Sequence, residues 1–467
     1  MDPFEAALEA IVGAQGLLRG ADAAPHCVDW RGLYRGHARA VVRPASTAEV
    51  ARVVALCREH GVPIVPQGGN TGLVGGATPS PAGDSMILLT GRMNRIREID
   101  AANGTLTAEA GAPLAVVREA AAESGLMFPL SIGSEGSAQI GGVLAANAGG
   151  SGTARYGNAR DLALGLEVVL PDGRVWNGLR KLRKDNSGYC LRHLMMGAEG
   201  TLGIITAAVL RLVPAPRSVA TAFCSVSSTA AGVALLSTLR TAMGGDLHTF
   251  EYMSRRGLGL VLRHIPGTRL PVAPADHHIL VEFAAATADG ARPALEEALS
   301  AAYEEGLVTD AVLADSETAR AGFWRLREAF AEAQVRHGPH VKCDIAVPIS
   351  AASRFLDTVG PTCARAFPGC SVVLLSHLGD GNIHCNVHAP EGWAEGDFSP
   401  LREEIAGRVD ALAVECGGTF SAEHGIGAAK LGEMARFKDP VELELMRTLR
   451  RALDPDGLMN PGKLIPA

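Results

Sequence analysis

The chain has 467 residues, a formal net charge of −7 and no apolar run long enough to span a membrane. This acidic balance argues against a nucleic-acid binder, which needs a basic surface, and the length suits two or three domains. The acidic start, MDPFEAALEA, lacks the features of a signal peptide, and the nine cysteines form no C-x-x-C pair. We therefore expect a cytoplasmic protein with reduced thiols.

Three glycine-rich segments dominate the first half of the chain. The first, QGGNTGLVGG at 67–76, follows a predicted helix at 46–60, whose first turn has the sequence of a capping box. The others are GSEGSAQIGGVLAANAGGSG at 133–152 and GAEGTLGII at 197–205. Glycine lets backbone N–H groups approach a ligand closely, and successive N–H groups can bind an anion. Each segment alone is equally compatible with a tight turn, but the three together favour a ligand with several phosphates or an extended polar cofactor.

The usual nucleotide-binding motifs are missing from the sequence. No G-x-G-x-x-G occurs, so there is no Rossmann fingerprint. GLMNPGKL at 457–464 is similar to a P-loop, but Leu464 replaces the Ser or Thr that holds magnesium, and Pro461 removes a backbone donor. We therefore expect a phosphate-type site that is built differently.

The composition of the sequence and its pattern of predicted elements change after a proline-containing linker, LVPAPRS at 212–218. Glycine usage becomes ordinary, and strand-like and helix-like stretches alternate. We place a domain boundary near 215 and predict three parts, 1–215, 216–438 and 439–467. The middle part is predicted to be α+β, with an antiparallel sheet covered by helices on one face. The last part begins with the helix-start sequence Asp-Pro, and we expect it to return to the first domain.

SHLGDGNIHCNVH, residues 376–388, holds three of the 14 histidines. Its central GDGN predicts a turn, and a hairpin would bring His377 and His384 together across that turn. SAEHG, further along the chain, offers the carboxylate of Glu423 beside His424. Two imidazoles and a carboxylate would suit a catalytic Zn²⁺ site with open positions, although Fe, Ni or Mn would also be accepted. The alternative is a pair of buried polar hairpins without a metal.

The three glycine-rich segments resemble the FAD-binding motifs of the vanillyl-alcohol oxidase superfamily, and so does the C-terminal sequence NPGKL at 460–464. The FAD-binding domain of that superfamily is of the PCMH type. Within that superfamily the chain resembles the FAD-linked D-2-hydroxyacid dehydrogenases over nearly its whole length. The resemblance implies an α+β fold, with two α+β subdomains in the FAD-binding domain and a C-terminal substrate domain. Residues 66–80 contain no His or Cys, so we expect non-covalent FAD. The residues that the resemblance assigns to FAD are Pro66, Gly68, Gly69, Asn70, Thr71, Gly72, Ser134, Gly136, Ser137, Gly141, Gly142, Asn147, Gly200, Ile205 and Asn460.

The same resemblance implies the roles of the residues in the second half of the chain. It makes metal ligands of His377, His384 and Glu423. With a metal and a flavin in one cleft, we expect His424 to take the substrate's hydroxyl proton as general base while the α-hydrogen leaves as hydride to flavin N5. The alternative for His424 alone is a structural histidine. The residues implied to bind substrate are Arg327, Lys342 and Asn386.

The proposed carboxylate clamp departs from the family pattern at one position. Arg327 and Lys342 keep the family's spacing of fifteen residues, but a threonine that joins them in the family falls at Ala331. Alone, this Arg and this Lys would be taken as surface charges. The departure weakens the choice of D-2-hydroxyglutarate over lactate or malate, although an Arg–Lys pair still suits a second carboxylate.

We therefore expect an FAD-dependent, metal-assisted dehydrogenase that oxidises a D-2-hydroxy acid, with D-2-hydroxyglutarate as the favoured substrate. The alternatives are a D-lactate dehydrogenase, a subunit of the glycolate oxidase type, and a non-oxidative flavoenzyme of the alkyl-dihydroxyacetone-phosphate synthase type. The resemblance also implies an electron acceptor, which would be a quinone, an electron-transfer flavoprotein or a cytochrome. We expect a homodimer that is cytoplasmic or held at a membrane periphery through its acceptor.

Overall fold

The computed structural model describes residues 2–466, and the chain divides into two units. Unit 1 consists of Met1–Gly149, Gly157–Ala215 and His424–Ala467, and unit 2 consists of Gly150–Tyr156 and Pro216–Glu423. The main division thus lies at 215, but the last segment of unit 1 starts at His424, ahead of the expected start at 439.

The helices and strands are numbered in chain order. The helices are α1 (Pro3–Val12), α2 (Thr47–His60), α3 (Leu114–Glu123), α4 (Ile140–Ala145), α5 (Thr153–Tyr156), α6 (Leu191–Met195), α7 (Thr229–Met243), α8 (Arg255–His264), α9 (Ala291–Glu304), α10 (Glu317–Glu328), α11 (Phe330–His337), α12 (Ile349–Ala366), α13 (Glu395–Phe398), α14 (Arg402–Glu415), α15 (Leu431–Phe437) and α16 (Pro440–Leu453). The strands are β1 (Leu17–Leu18), β2 (Ala40–Val42), β3 (Ile64–Gln67), β4 (Met86–Leu89), β5 (Ile96–Asp100), β6 (Thr105–Glu109), β7 (Leu126–Met127), β8 (Ala163–Val169), β9 (Val175–Gly178), β10 (Ile204–Arg211), β11 (Val213–Pro214), β12 (Ser218–Val226), β13 (Leu247–Ser254), β14 (His277–Ala285), β15 (Val308–Leu313), β16 (His340–Ala346), β17 (Ser371–His377) and β18 (Asn382–His388).

Unit 1 contains two main sheets. One has the order β1-β2-β4-β3, and β4 pairs in parallel with both β2 and β3. The other has the order β5-β6-β10-β8-β9 and is antiparallel. Two separate sheets agree with the two α+β subdomains that the family resemblance implies for the FAD-binding domain.

Helix α2 forms as its sequence predicts. The side chain of Ser46 accepts a hydrogen bond from the backbone N–H of Glu49, and the Glu49 carboxylate accepts one from the backbone N–H of Ala45. Gly61 then ends the helix in the left-handed conformation that favours glycine. Val50, Val53 and Val54 are buried on one side of this helix, within the core of unit 1.

The chain from His424 onwards is hydrogen-bonded within unit 1. The backbone N–H groups of Ala428 and Ala429 donate to the carbonyl of Val74. Further on, the Ile64 N–H donates to the carbonyl of Leu458 at 2.8 Å, and the Asn460 N–H donates to the carbonyl of Ile64 at 2.8 Å. These bonds explain why the last segment of unit 1 begins before the predicted Asp-Pro helix start.

Unit 2 is built on a sheet of the order β15-β12-β14-β13-β17-β18-β16, and its neighbouring strands are antiparallel. Phe250 and Tyr252 of β13 belong to the core that includes α7, α9, α12 and α14. Met253 belongs to a second core on the opposite face, with residues of α8, α10 and α11. Helices therefore cover both faces, and the expectation of one covered face is wrong because these strands bury apolar side chains on both sides.

Among the helices within residues 2–466, none combines the length and the apolar character needed to cross a membrane.

Candidate active site

The histidine-rich segment forms the predicted hairpin between β17 and β18. The N–H groups of Asp380 and Gly381 donate to the carbonyl of His377, which closes the turn. Gly381 has a φ of +86°, and a Cβ there would clash with the carbonyl oxygen of Val347. The rings of His377 and His384 lie 5.3 Å apart, centroid to centroid, and nearly perpendicular at 78°. Glycine thus permits a tight turn that brings the two imidazoles together.

Alternation along β18 puts its polar side chains on one face of the sheet. Ile383, Cys385 and Val387 lie in the apolar core, so the residues between them face the other way. The neighbouring strand β16 continues this polar face, because Lys342 lies opposite Asn386 and Asp344 lies opposite His384. The polar residues of β18 on this face are Asn382, His384, Asn386 and His388.

Asp344, His384 and Glu423 form a cluster of potential metal ligands, with one ligand atom of each within 4.8 Å of the others. The Nε2 atom of His384 is 3.5 Å from Glu423 Oε1, and its Nδ1 atom is 3.8 Å from Asp344 Oδ1. Asp344 is only 1% exposed and also accepts a hydrogen bond from the Glu423 backbone N–H at 3.0 Å. His424 follows Glu423 directly and begins the last segment of unit 1.

The electrostatics of this cluster fit a cation. Burial, together with the nearby Asp344 carboxylate, raises the pKa of Glu423 to about 7, although His377 and Arg327 oppose the rise. A carboxylate held in so unfavourable a place is stabilised when a cation binds beside it. One imidazole and two carboxylates are also ordinary ligands for zinc and related divalent metals. The residues present therefore fit a divalent metal ion.

His377 lies in a different group, with Glu251 and Arg327. Its Nδ1 atom is hydrogen-bonded to Glu251 Oε1 at 2.6 Å, and Arg327 Nε donates to Glu251 Oε2 at 2.8 Å. Arg327 Nη2 is also 3.1 Å from His377 Nε2. Burial opposes ionisation of Glu251, but His377 and Arg327 outweigh it and lower the pKa to about 2. Burial likewise opposes the charged form of His377, but Glu251 outweighs it and raises the pKa.

Two of these carboxylates were missed by the sequence reasoning. Glu251 is a single acidic residue between Phe250 and Tyr252 in a buried strand, and Asp344 is two residues after Lys342 in VKCDIAV. An acidic residue inside a run that otherwise predicts a buried strand is the signal that could have found both, because such a group needs a partner.

Asn386 is held from the side by Gln334 of α11. Its Nδ2 group donates to Gln334 Oε1 at 2.9 Å, and the same oxygen lies 3.1 Å from His388 Nε2. His388 is 1% exposed and stacks on His340, with ring centroids 4.8 Å apart. Burial, together with the neighbouring His340 and His337, lowers the pKa of His388 to about 3. His388 is therefore a buried neutral side chain, while Asn386 lies on the polar face beside the exposed Lys342.

The first two glycine-rich segments pack closely in unit 1. A Cβ at Gly69 would clash with the carbonyl of Ser137, and one at Gly141 would come 2.8 Å from the Cβ of Ala110. Asn70, the next residue, has a φ of +52°, and its side chain donates to the carbonyl of Val28. Close approach of the backbone is thus one reason for glycine here.

Other glycines have a different explanation. Gly72, Gly136 and Gly142 do not have positive φ values, and within residues 2–466 no atom outside the adjoining stretch of chain lies within 4 Å of where a Cβ would stand. Neither conformation nor packing requires glycine at these positions, which leaves their backbone open to the close approach of a ligand. This observation fits a large cofactor. The predicted neighbours Pro66, Gly68, Thr71, Ser134 and Ser137 belong to the same two segments.

Asn460 gives a second indication of a ligand in unit 1. Its Nδ2 group donates to the carbonyls of Gly76 and Glu199 at 2.9 and 2.8 Å. Its Oδ1 atom is buried and has no hydrogen-bond partner among the described residues, so it can accept a bond from a ligand N–H. The structure brings Asn460 to the start of the third segment, where Gly200 follows Glu199. Asn147 has a φ of +50° in the second segment, and Ile205 is buried in β10.

Comparisons with known proteins agree with these observations. The model of the FAD-linked oxidase C-terminal domain matches residues 215–464, and that of an FAD binding domain matches residues 38–178. The chain is 38% identical to the mitochondrial D-2-hydroxyglutarate dehydrogenase of Bos taurus over 462 residues, covering 99% of this chain and 83% of the relative.

Two further proteins give similar results. A D-2-hydroxyglutarate dehydrogenase of Xanthomonas citri pv. viticola is 36% identical over 437 residues, or 93% of this chain and 91% of that protein. A solved structure of p-cresol methylhydroxylase with substrate bound has a TM-score of 0.77 at 16% identity, and covers 99% of this chain and 96% of the other. At that identity the likeness supports the fold alone. The chain therefore belongs to the FAD-linked oxidase family and is an FAD-dependent oxidoreductase.

Proposed function

We propose that this oxidoreductase oxidises D-2-hydroxyglutarate to its 2-oxo acid. The observation that carries the proposal is the polar sheet face of unit 2, which combines candidate metal ligands with cationic side chains. Asp344 and Lys342 lie two residues apart on β16, and Arg327 pairs with Glu251 of β13. A 2-hydroxydicarboxylate has matching groups, namely a hydroxyl beside one carboxylate and a second carboxylate for a cation. The likeness to the D-2-hydroxyglutarate dehydrogenases of Bos taurus and Xanthomonas supports the choice.

The divalent metal is proposed to be zinc, held by Asp344, His384 and Glu423, with His377 as a further candidate ligand. Zinc accepts imidazole and carboxylate ligands and keeps an open position in catalytic sites. Glu251 engages Nδ1 of His377 and Arg327 Nη2 lies 3.1 Å from its Nε2, so Arg327 would have to turn away before Nε2 could bind the metal. Bound FAD would accept the substrate's C2 hydrogen as hydride at N5, and the bound cation would polarise the substrate hydroxyl.

The side chains of the protein bind the substrate and move its proton. His424 would accept the hydroxyl proton, because a neutral imidazole is the general base best suited to neutral pH. Arg327 has guanidinium N–H groups beyond the Nε that Glu251 engages, and we assign them to the carboxylate next to the hydroxyl. Lys342 would hold the distal carboxylate, and Asn386 would donate or accept beside it. Asp344 fixes the backbone of Glu423 through the bond to its N–H.

FAD is proposed to bind non-covalently to the glycine-rich segments of unit 1. The open positions at Gly72, Gly136 and Gly142 and the unsatisfied oxygen of Asn460 support this assignment. The first segment offers no His or Cys between residues 66 and 80 to form a covalent bond with the flavin.

Replacement of Lys342 by alanine tests the substrate class. We expect kcat/KM for D-2-hydroxyglutarate to fall about 10–100-fold, because a charged hydrogen bond to the distal carboxylate is lost. D-lactate has no distal carboxylate, so its kcat/KM should change less than about threefold. Steady-state rates with both acids measure this difference, and Lys184→Ala, at an exposed lysine of unit 1, is the matched control. Equal losses with both acids would show that Lys342 does not hold the distal carboxylate.

The alternative functions lack a corresponding observation. A D-lactate dehydrogenase or a glycolate oxidase-type subunit would not need Lys342 on the same face as the ligand cluster. A non-oxidative flavoenzyme of the alkyl-dihydroxyacetone-phosphate synthase type, or a subunit that only transfers electrons, would not need the cluster of Asp344, His384 and Glu423. The electron acceptor is proposed to be a quinone, an electron-transfer flavoprotein or a cytochrome, and the protein to be cytoplasmic or peripheral to a membrane.

A homodimer is proposed through helix α16. Val441, Leu445 and Leu449 are 64%, 58% and 40% exposed and recur every four residues, so they form one apolar stripe on the helix surface. Glu444 and Arg451 are seven residues apart and therefore lie on one flank of this stripe. An antiparallel second copy brings each Glu444 towards the Arg451 of the other copy. The helix is about 21 Å long, so the contact is smaller than a standard interface and the dimer should be weak.

Sedimentation velocity over a range of concentrations tests this interface. Leu445→Glu is expected to leave only monomer, because it puts a charge into the centre of the stripe. Tyr303→Glu, at an equally exposed side chain at the end of α9, should not change the mass. Glu444→Arg should weaken the dimer, and Glu444→Arg with Arg451→Glu should restore it. A wild-type protein that stays monomeric at every concentration up to its solubility limit contradicts the proposal.

A further inference from the structure

Glu199, in the third glycine-rich segment, is not used by the mechanism above. It has a φ of +50°, which is uncommon for a residue other than glycine. Its backbone carbonyl accepts the hydrogen bond from Asn460 Nδ2 at 2.8 Å. Burial raises the pKa of its carboxyl group, although hydrogen bonds from Ile426 and Gly427 oppose that rise. A strained backbone and a part-buried acid point to a specific task for this side chain.

The carboxylate of Glu199 binds the backbone that follows His424. The Ile426 N–H donates to Oε1 and the Gly427 N–H donates to Oε2, each at 2.7 Å. Both carboxylate oxygens are thus occupied by consecutive N–H groups, in the manner of an anion nest. Gly425 has a φ of +81°, and a Cβ there would lie 2.7 Å from Glu199 Oε1.

The other side of this segment is fixed as well. Gly427 has a φ of +52°, and a Cβ there would clash with the carbonyl of Val74. The N–H groups of Ala428 and Ala429 donate to that same carbonyl. The backbone of 425–429 is therefore held by Val74 from one side and by Glu199 from the other. His424 is joined directly to this fixed backbone, so the direction of its side chain depends on it.

We propose that Glu199 is a positioning residue that orients His424 by holding the backbone that follows it, through the hydrogen bonds from the N–H groups of Ile426 and Gly427. This role rests on the proposed function of His424 as the general base. It also explains why a glutamate, and not a glutamine, occupies the position. A carboxylate offers two acceptor oxygens to two N–H groups, whereas the amide of glutamine would turn its own NH₂ group towards one of them.

The variant Glu199→Gln separates this role from a structural one. We expect kcat for 2-hydroxy acid oxidation to fall about 10–100-fold, with KM and FAD content unchanged, because a base that is misplaced slows the proton transfer. In a His424→Ala background the same change should lower kcat less than threefold, since the base it positions is already gone. Glu167→Gln is the matched control. Glu167 is a buried carboxylate of unit 1 that binds Thr47, Thr206 and Arg97. Any fall in kcat that this change causes should be the same with and without His424.

Hydrogen exchange at the Ile426 and Gly427 amides gives a readout that needs no substrate. In the FAD-loaded wild type these two amides should be protected, and in Glu199→Gln they should exchange at least tenfold faster. Fast exchange in the wild type, unchanged protection in the variant, or an equal loss of kcat with and without His424 would each overturn the positioning role. If D-2-hydroxyglutarate is not a substrate, any 2-hydroxy acid that reduces the flavin serves for kcat, and the exchange result stands apart from the proposed function.

Discussion

His424→Ala is expected to lower kcat for D-2-hydroxyglutarate oxidation by about 10²–10⁴-fold, which is the usual contribution of a general base. The physical reason is that the substrate hydroxyl must lose its proton as the C2 hydrogen leaves, and the imidazole is the group assigned to accept that proton. KM and the amount of bound FAD should change little, because no binding contact is removed. Anaerobic stopped-flow measurement of flavin reduction reports this step without interference from the electron acceptor.

Two further measurements make the result for His424 specific. His60→Ala, at an exposed histidine in the last turn of α2, should leave the rate unchanged. Added imidazole should restore part of the rate in His424→Ala, because a free base can occupy the vacated space. If flavin reduction in His424→Ala stays within about threefold of the wild type, His424 is not the base.

Loss of the candidate metal site is the second large effect expected. Glu423→Gln and Asp344→Asn should each lower metal affinity about 10²-fold or more, because each removes a charged ligand from a buried cluster. The rate of flavin reduction should fall by on the order of 10³-fold, since an uncharged amide cannot hold the cation that polarises the hydroxyl. Metal content by mass spectrometry and flavin reduction rates, taken on the same preparations, measure both quantities.

The wild type provides the comparison for these variants. A chelator should reproduce the loss of rate, and added metal should restore the rate in the wild type but not in the variants. Asp410→Asn replaces a buried carboxylate of α14 in the apolar core, so it should leave metal content unchanged. Complete removal of the metal with an undiminished rate would show that Asp344, His384 and Glu423 have another role.

The parts of the site that local chemistry determines could be predicted from the sequence. The capping box of α2 and the glycine turn between β17 and β18 depend on a few consecutive residues, and both are present in the structure. The alternation in NIHCNVH likewise determines that His384 and Asn386 share a face. Lys342 joins the same face through the register of β16 against β18, which brings it opposite Asn386.

The parts that depend on pairing between distant strands could not be predicted in this way. Glu251 and His377 are 126 residues apart, and they meet because β13 pairs with β17 in the register that puts them opposite each other. Nothing local to Glu251 reports that register. The second layer of helices in unit 2 could not be predicted for a related reason. Strands that are apolar on both faces do not show which helices cover each face. The start of the last unit 1 segment at His424 depends on hydrogen bonds to Val74 and Glu199, which also come from distant parts of the chain.

Anaerobic mixing of the FAD-loaded, metal-replete protein with D-2-hydroxyglutarate tests the central claim most directly. The visible absorption band of the flavin should bleach fully, with one equivalent of 2-oxoglutarate formed per flavin, and the L-enantiomer should leave the band unchanged. Pretreatment with a chelator should slow the bleaching by on the order of 10³-fold. A flavin that stays oxidised with D-2-hydroxyglutarate, while the protein retains both FAD and metal, would contradict the account.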